Sequence, residues 1–176
     1  RSFYKKNLLN SYQKALISSV RKESLKNTSI VLDLCWGSAT AFGEEIFKEL
    51  GADVTVINDK PNGDLINVNC GSTNIEQLRT TVLKKNAEMG FAFDGDSDRM
   101  IAIDSKGRVI DGDHVLFLWG SFLKENNQLP QQRLVGTVMS NLGLQKEWTE
   151  LGGIFERTQV GDQNIHAEML ATGAAL

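Results

Sequence analysis

The sequence predicts an α/β fold: two consecutive α/β units with mixed, mostly parallel sheets and helical crossovers, the second unit incomplete. Three observations lead there. Short β-branched apolar runs such as "SIVLDLC" and "DVTVIN" alternate with segments of helical periodicity. The connections between neighbouring runs are long enough for crossover helices, which parallel strands require. The alternation then restarts after residue 105, which places the units at 1–105 and 106–176.

From Phe3 to Leu25, apolar residues including Phe3, Tyr4, Leu8, Leu9, Tyr12, Leu16, Ile17 and Val20 recur at helical spacing among Lys, Gln and Arg. That spacing predicts an amphipathic helix. "SIVLDLC", the turn "WGSAT", the helix "AFGEEIFKEL" closed by Gly51, and "DVTVIN" form a βαβ unit. A polar loop, "DKPNGDLINVNCGST", leads to the helix "NIEQLRTTVLKKN" and the strand "MGFAFD". "RMIAID", "SKG" and "RVI" read as a hairpin. The second cycle runs through the helix "DHVLFLWGSFLKEN", the strand "RLVGTVM", the helix "GLQKEWTEL", the strand "GIFERT", the loop "QVGDQ" and the helix "NIHAEMLATG".

Composition narrows the function. With 19 basic against 22 acidic residues and no basic run, nothing suggests a phosphate-backbone footprint, so no nucleic-acid partner is expected. No apolar stretch approaches the roughly 20 residues that span a bilayer, and the start lacks a signal-peptide pattern. The expectation is a cytoplasmic protein with no membrane partner. Cys35 and Cys70 follow no metal-finger spacing and read as reduced packing residues. A start at Arg1 and a stop at "LATGAAL" suggest a piece of a longer polypeptide.

The chemistry concentrates in "FAFDGDSDRMIAID", residues 91–104. Asp94, Asp96 and Asp98 follow a buried strand, at the carboxyl end where open α/β sheets place their ligands. Carboxylates converging to about 5 Å repel by about 3 kcal/mol per pair at an effective dielectric near 20, or about 10 kcal/mol for three pairs. Arg99 alone does not offset that. The cluster must splay into water, take up protons or hold a divalent cation, and an all-oxygen donor set suits Mg²⁺, Mn²⁺ or Ca²⁺. An EF-hand would need glycine and glutamate where Arg99 and Ser105 stand. A haloacid-dehalogenase-like phosphatase, with Asp94 as nucleophile, wants Thr or Val at Asp98. That reading stays open, as does a non-catalytic metal-binding module or a solvated acidic turn.

"FAFDGDSDR" resembles the metal-binding loop of the α-D-phosphohexomutases, usually DGDGDR, with Ser97 in place of the common glycine. "INVNCGST", "GRVIDGDHVLFLWG", "VGTVMSNLGL" and "RTQVGDQ" are similar to the phosphoglucosamine mutase branch of that family in order and spacing. The resemblance implies domain II and part of domain III of a four-domain isomerase. Such an enzyme interconverts glucosamine 6-phosphate and glucosamine 1-phosphate through a phosphoserine and a bisphosphate. It further implies Mg²⁺ as cofactor on Asp94, Asp96 and Asp98, with Arg99 as a catalytic phosphate-side cation. Gly161 and Asp162 would be substrate-binding, with Asp162 near the sugar's 2-ammonium. A phosphosugar and the missing domains of the same polypeptide would be the partners. The serine loop, sugar loop and phosphate loop of the family have no counterpart here, so the piece alone is expected to be inactive.

Other motifs read blandly. "CWGSAT" lacks a Walker lysine and a GxGxxG pattern, so it is expected to be a structural turn. "DGDH" at 111–114 is expected to cap a helix. For Asp162, helix capping competes with the substrate role. His114 and His166 have no ligand partner at metal spacing, and Trp36, Trp119 and Trp148 read as packing residues.

Overall fold

The computed structural model describes residues 6–176. They divide into two compact units, with the division between Val109 and Ile110. The first unit contains α1 (Lys6–Ser18), β1 (Ser29–Asp33), α2 (Gly43–Glu49), β2 (Asp53–Ile57), α3 (Glu76–Lys85), β3 (Met89–Phe93) and β4 (Met100–Asp104). The strand β5 (Val109–Ile110) lies at the division. The sheet order is β2-β1-β3-β4-β5. β1 pairs in parallel with β2 and β3, and β4 runs antiparallel to β3.

Alternation along the strands puts apolar side chains on both faces. Val31 and Ala92 join Leu78 and Val82 of α3 in one cluster, while Ile30, Leu32, Phe91 and Phe93 face the other way with Phe47 of α2. A sheet covered on both faces explains why β1 reads as a continuous apolar run. β1 connects to β2 on one side, whereas β3 lies on its other side. The carboxyl ends of β1 and β3 therefore flank a switch point, the usual place for a ligand crevice in an open α/β sheet.

In the second unit, β6 (Arg133–Thr137) and β7 (Ile154–Thr158) pair in parallel. With them fold α4 (Gly112–Glu125), α5 (Leu142–Glu150) and α6 (Asp162–Thr172). Trp148 is wholly buried among Leu129, Leu134, Leu144 and Phe155, and its indole N–H donates to the Gln132 carbonyl at 3.0 Å.

The first helix departs from the periodicity. It ends at Ser18, and Glu23 and Asn27 then take left-handed backbone conformations, turning Leu25 inward onto the sheet. Periodicity alone ran through this segment because Val20 and Leu25 happen to keep the phase. The expectations for Phe3 and Tyr4 lie outside the described residues. The second helix begins at Gly43 rather than Ala41, since Ser38–Ala41 form a separate 3₁₀ turn. Trp119 does not pack inside: it is 53% exposed and stacks on Phe122, its ring centroid 5.5 Å away. Among the described residues no helix is long and apolar enough to cross a membrane.

The reversal from β4 to β5 is closed by Asp104. Its carboxylate accepts from the backbone N–H groups of Lys106 (2.9 Å) and Arg108 (2.8 Å) and from the Arg108 guanidinium (2.6 Å). The bonds from Arg108, backbone first, hold its carboxyl below the usual carboxylate range. A depressed folded pKa means stability that is fully present above the unfolded value, about 3.9, and lost as pH falls through the folded one. The stability gap between wild type and Asp104→Asn, read from urea midpoints across a pH series, should therefore be constant near neutrality and close only on the acid side.

Candidate metal centre

Asp94 follows β3 directly and is 1% exposed, whereas Asp96 and Asp98 are exposed. One carboxylate oxygen from each lies within 4.8 Å of the others. The loop achieves this by turning back on itself: Asp94 N–H donates to the Arg99 carbonyl at 3.2 Å, and Ser97 N–H donates to the Asp94 carbonyl at 3.2 Å. Ser97 has φ +65°, the left-handed region glycine favours, which accounts for the usual glycine at that position.

Arg99 answers part of the charge. Its Nε–H donates to Asp94 Oδ2 at 2.8 Å and lies 3.4 Å from Asp98 Oδ1, and its backbone N–H donates to Asp94 Oδ1 at 3.2 Å. Burial pushes the Asp94 carboxyl up, but the backbone bond from Arg99, the bond shared with Asp98 and the guanidinium outweigh it and hold Asp94 below its ordinary value. Asp98 moves the opposite way, raised first by its hydrogen bond with Asp94 and then by desolvation and the neighbouring charges. The two carboxyls thus compete for one arginine, and the local excess of negative charge persists.

A second turn braces the loop. Cys35 and Trp36, just past β1, both have positive φ, and they deliver Ser38 so that its N–H donates to the Gly95 carbonyl at 2.9 Å. The Ser38 and Ser97 hydroxyls are 2.9 Å apart. A Cβ on Gly37 would sit 2.3 Å from the Gly95 oxygen, so only glycine permits this backbone contact. From a third segment, Ser72 N–H donates to the Phe93 carbonyl at 3.1 Å. The "CWGSAT" turn is structural, as expected, but its task of supporting the aspartate loop was not visible in the sequence.

Sequence reasoning also missed Asp33, a fully buried carboxylate at the end of β1, together with its partner Asn58. A charged residue inside "SIVLDLC" was the available signal. Cys35 and Cys70 are free and buried, with sulfurs 3.8 Å apart; burial pushes the Cys70 thiol up to about 12, so it stays protonated.

The substrate-side candidates belong to the second unit. Gly161 has φ +131° and ψ +133°, a conformation essentially restricted to glycine, and it precedes α6. Asp162 is the first residue of α6 and exposed, so it is not the capping residue; Gly161 holds that position without a side-chain bond. Its charge is favourably placed in the helix's first turn. Asn164 donates to the carbonyls of Gln159 and Val160, closing this loop. At 111–114, Asp111 caps α4 as expected, accepting from His114 N–H at 3.1 Å, with the His114 ring on the same oxygen.

A mixed, mostly parallel α/β sheet with an acidic loop at its switch point places the protein among the open α/β folds, in which the strand ends are the usual ligand crevice. Family comparison specifies the class. Residues 6–107 match the model for phosphoglucomutase/phosphomannomutase, alpha/beta/alpha domain II, and residues 111–176 match that for domain III. The chain belongs to the phosphoglucomutase/phosphomannomutase family. It is 62% identical over 169 residues to a phosphoglucosamine mutase of Synechococcus sp. (strain CC9311), covering 96% of this chain and 37% of the relative. To the phosphoglucosamine mutase of Prochlorococcus marinus (strain MIT 9303) it is 56% identical over 175 residues, covering 99% of this chain and 37% of the relative. The chain thus spans about 37% of the length of these curated relatives. Among solved structures, a phosphoglucomutase/phosphomannomutase family protein from Burkholderia thailandensis superposes with a TM-score of 0.78 at 23% identity, covering 94% of this chain and 36% of that one. An N-acetylglucosamine-phosphate mutase gives 0.69 at 22%, covering 89% and 39%. These two likenesses concern the fold.

The Gly37 contact makes a direct test of the bracing turn. Gly37→Ala should destabilise the chain by about 1–3 kcal/mol in urea unfolding, because backbone rather than a flexible side chain occupies the space. Gly63→Ala, with nothing within 4 Å, should stay within about 0.5 kcal/mol of wild type.

Proposed function

We propose that this chain supplies the metal-binding portion of a phosphoglucosamine mutase, acting within a longer polypeptide that interconverts glucosamine 6-phosphate and glucosamine 1-phosphate. The observation that carries the proposal is the convergence of Asp94, Asp96 and Asp98 within 4.8 Å, in a chain 62% identical to a protein of that name. The donor set is three carboxylates, the hard oxygen ligands that Mg²⁺ prefers, and Arg99 leaves their charge incompletely balanced. Asp94, Asp96 and Asp98 would hold the cation, which when bound would neutralise charge on a phosphoryl oxygen.

The chain's own residues then divide the work. Asp94, buried and fixed by Arg99, anchors the site, while exposed Asp96 and Asp98 face the entering ligand. Arg99 is 72% exposed along its side chain and uses Nε for the aspartates. Its terminal nitrogens lie outside those bonds, and we assign them to a phosphate oxygen. Asp162, held on its exposed turn by Gly161, pairs with the ammonium of the amino sugar. A phosphatase using Asp94 as nucleophile is disfavoured by burial and by engagement of both its oxygens with Arg99.

Calorimetry with Mg²⁺ tests the metal assignment. Asp96→Asn should weaken binding by about tenfold or more, and equal heats from variant and wild type would reject it. In the complete enzyme the same change should abolish sugar-phosphate interconversion, followed by a coupled assay for glucosamine 1-phosphate. Asp162→Asn should instead raise KM for glucosamine phosphate relative to glucose phosphate, with kcat changed less. An unchanged ratio of the two KM values would remove Asp162 from substrate recognition.

A further inference from the structure

We propose that Asp33 is the positioning residue of the 94–99 loop, gripping both of the segments that brace it. Its bearing on metal affinity rests on the metal reading above; its bearing on loop order does not. Asp33 is fully buried at the carboxyl end of β1, the strand between β2 and β3. Its oxygens accept from three neutral donors: Cys35 N–H (3.0 Å) and Asn58 Nδ2 (2.9 Å) on Oδ1, and Gly71 N–H (2.8 Å) on Oδ2. A buried carboxylate is costly even when hydrogen-bonded, and packing gives no reason for it between Leu32 and Leu34. Its bonds point instead to the loop's two supports.

The first support is the turn that Oδ1 holds at Cys35. Both Cys35 and Trp36 are left-handed there, a conformation that residues with a Cβ avoid unless held. The turn ends in Ser38, which bonds to Gly95 through its N–H and to Ser97 through its hydroxyl. The second support is the segment that Oδ2 holds at Gly71. The next residue, Ser72, bonds to the Phe93 carbonyl, the last peptide before Asp94. One carboxylate thus fixes the residue before Asp94 and the two residues between the aspartates while touching none of the three.

Asp33→Asn separates positioning from general support. It preserves the shape and an acceptor for Cys35, but sets an amide NH₂ against Gly71 N–H. Asn58→Gly removes another buried bond to the same oxygen, at a positive-φ position that suits glycine, and leaves both grips in place. In the 176-residue chain, Asp33→Asn should exchange the hydrogen-bonded amide protons of Ser72 and Ser97 about tenfold faster and bind Mn²⁺ about tenfold more weakly. Asn58→Gly should stay within about twofold of wild type in both readouts. A merely structural role would move the two variants together, and that result overturns the inference, as does wild-type exchange at Ser72 and Ser97 in folded Asp33→Asn. If the wild type binds no Mn²⁺, the metal reading falls and exchange alone decides on Asp33. Should Asp33→Asn not fold, native-state exchange of the wild type decides. One common opening for the amides of Cys35, Ser38, Gly71 and Ser72 supports the inference, and independent opening of Ser38 and Ser72 overturns it.

Discussion

Three carboxylates within 4.8 Å of one another impose a condition that the first unit is arranged to meet, because their mutual repulsion would otherwise open the loop that carries them. The loop withstands it through covalent shortness and backbone bonding rather than through charge balance. Asp94 and Arg99 bond to each other through main chain and side chain, closing the turn at its base. The negative charge is thereby held in place instead of being relieved, which is the condition a cation site requires.

Support for this loop comes from the sheet's topology. β1 and β3 are neighbours, but the segments that follow them are distant in sequence, so their ends can meet only once the parallel pairing has formed. The turn after β1 and the segment around Gly71 meet the loop at different residues, Gly95 and Phe93, and both are tied to Asp33. Positive backbone angles at Cys35, Trp36, Asn58, Gly71 and Ser97 collect in this region. Such conformations persist when surrounding structure over-determines them, and here the surrounding bonds are those of the loop's supports.

Much of the fold was legible because the strands are short and both faces of the sheet are covered. "SIVLDLC" and "MGFAFD" are apolar enough to announce themselves, and Gly51 and the left-handed Asn86 mark helix ends where local chemistry requires them. The places where local reading failed share a cause. Residues 19–25 keep helical phase but are turned by contacts of Leu25 with the sheet, and Trp119 follows the helical pattern of a core residue while lying outside the core. In both, a pattern defined along the chain was decided by what stood across from it.

The sequence by itself determined the α/β class, the position of the acidic loop after a buried strand, and its need for a counter-charge, because alternation, periodicity and the spacing of Asp94, Asp96 and Asp98 are properties of adjacent residues. It also carried the family resemblance, since the motifs around that loop are continuous stretches. Only the tertiary structure decided that Asp94 is buried while its companions are exposed, that Gly37 touches Gly95, and that Asp33 ties three segments together. Those facts join residues up to 58 positions apart through contacts that form only when parallel strands bring their carboxyl ends to one edge, and no local pattern encodes which ends will meet.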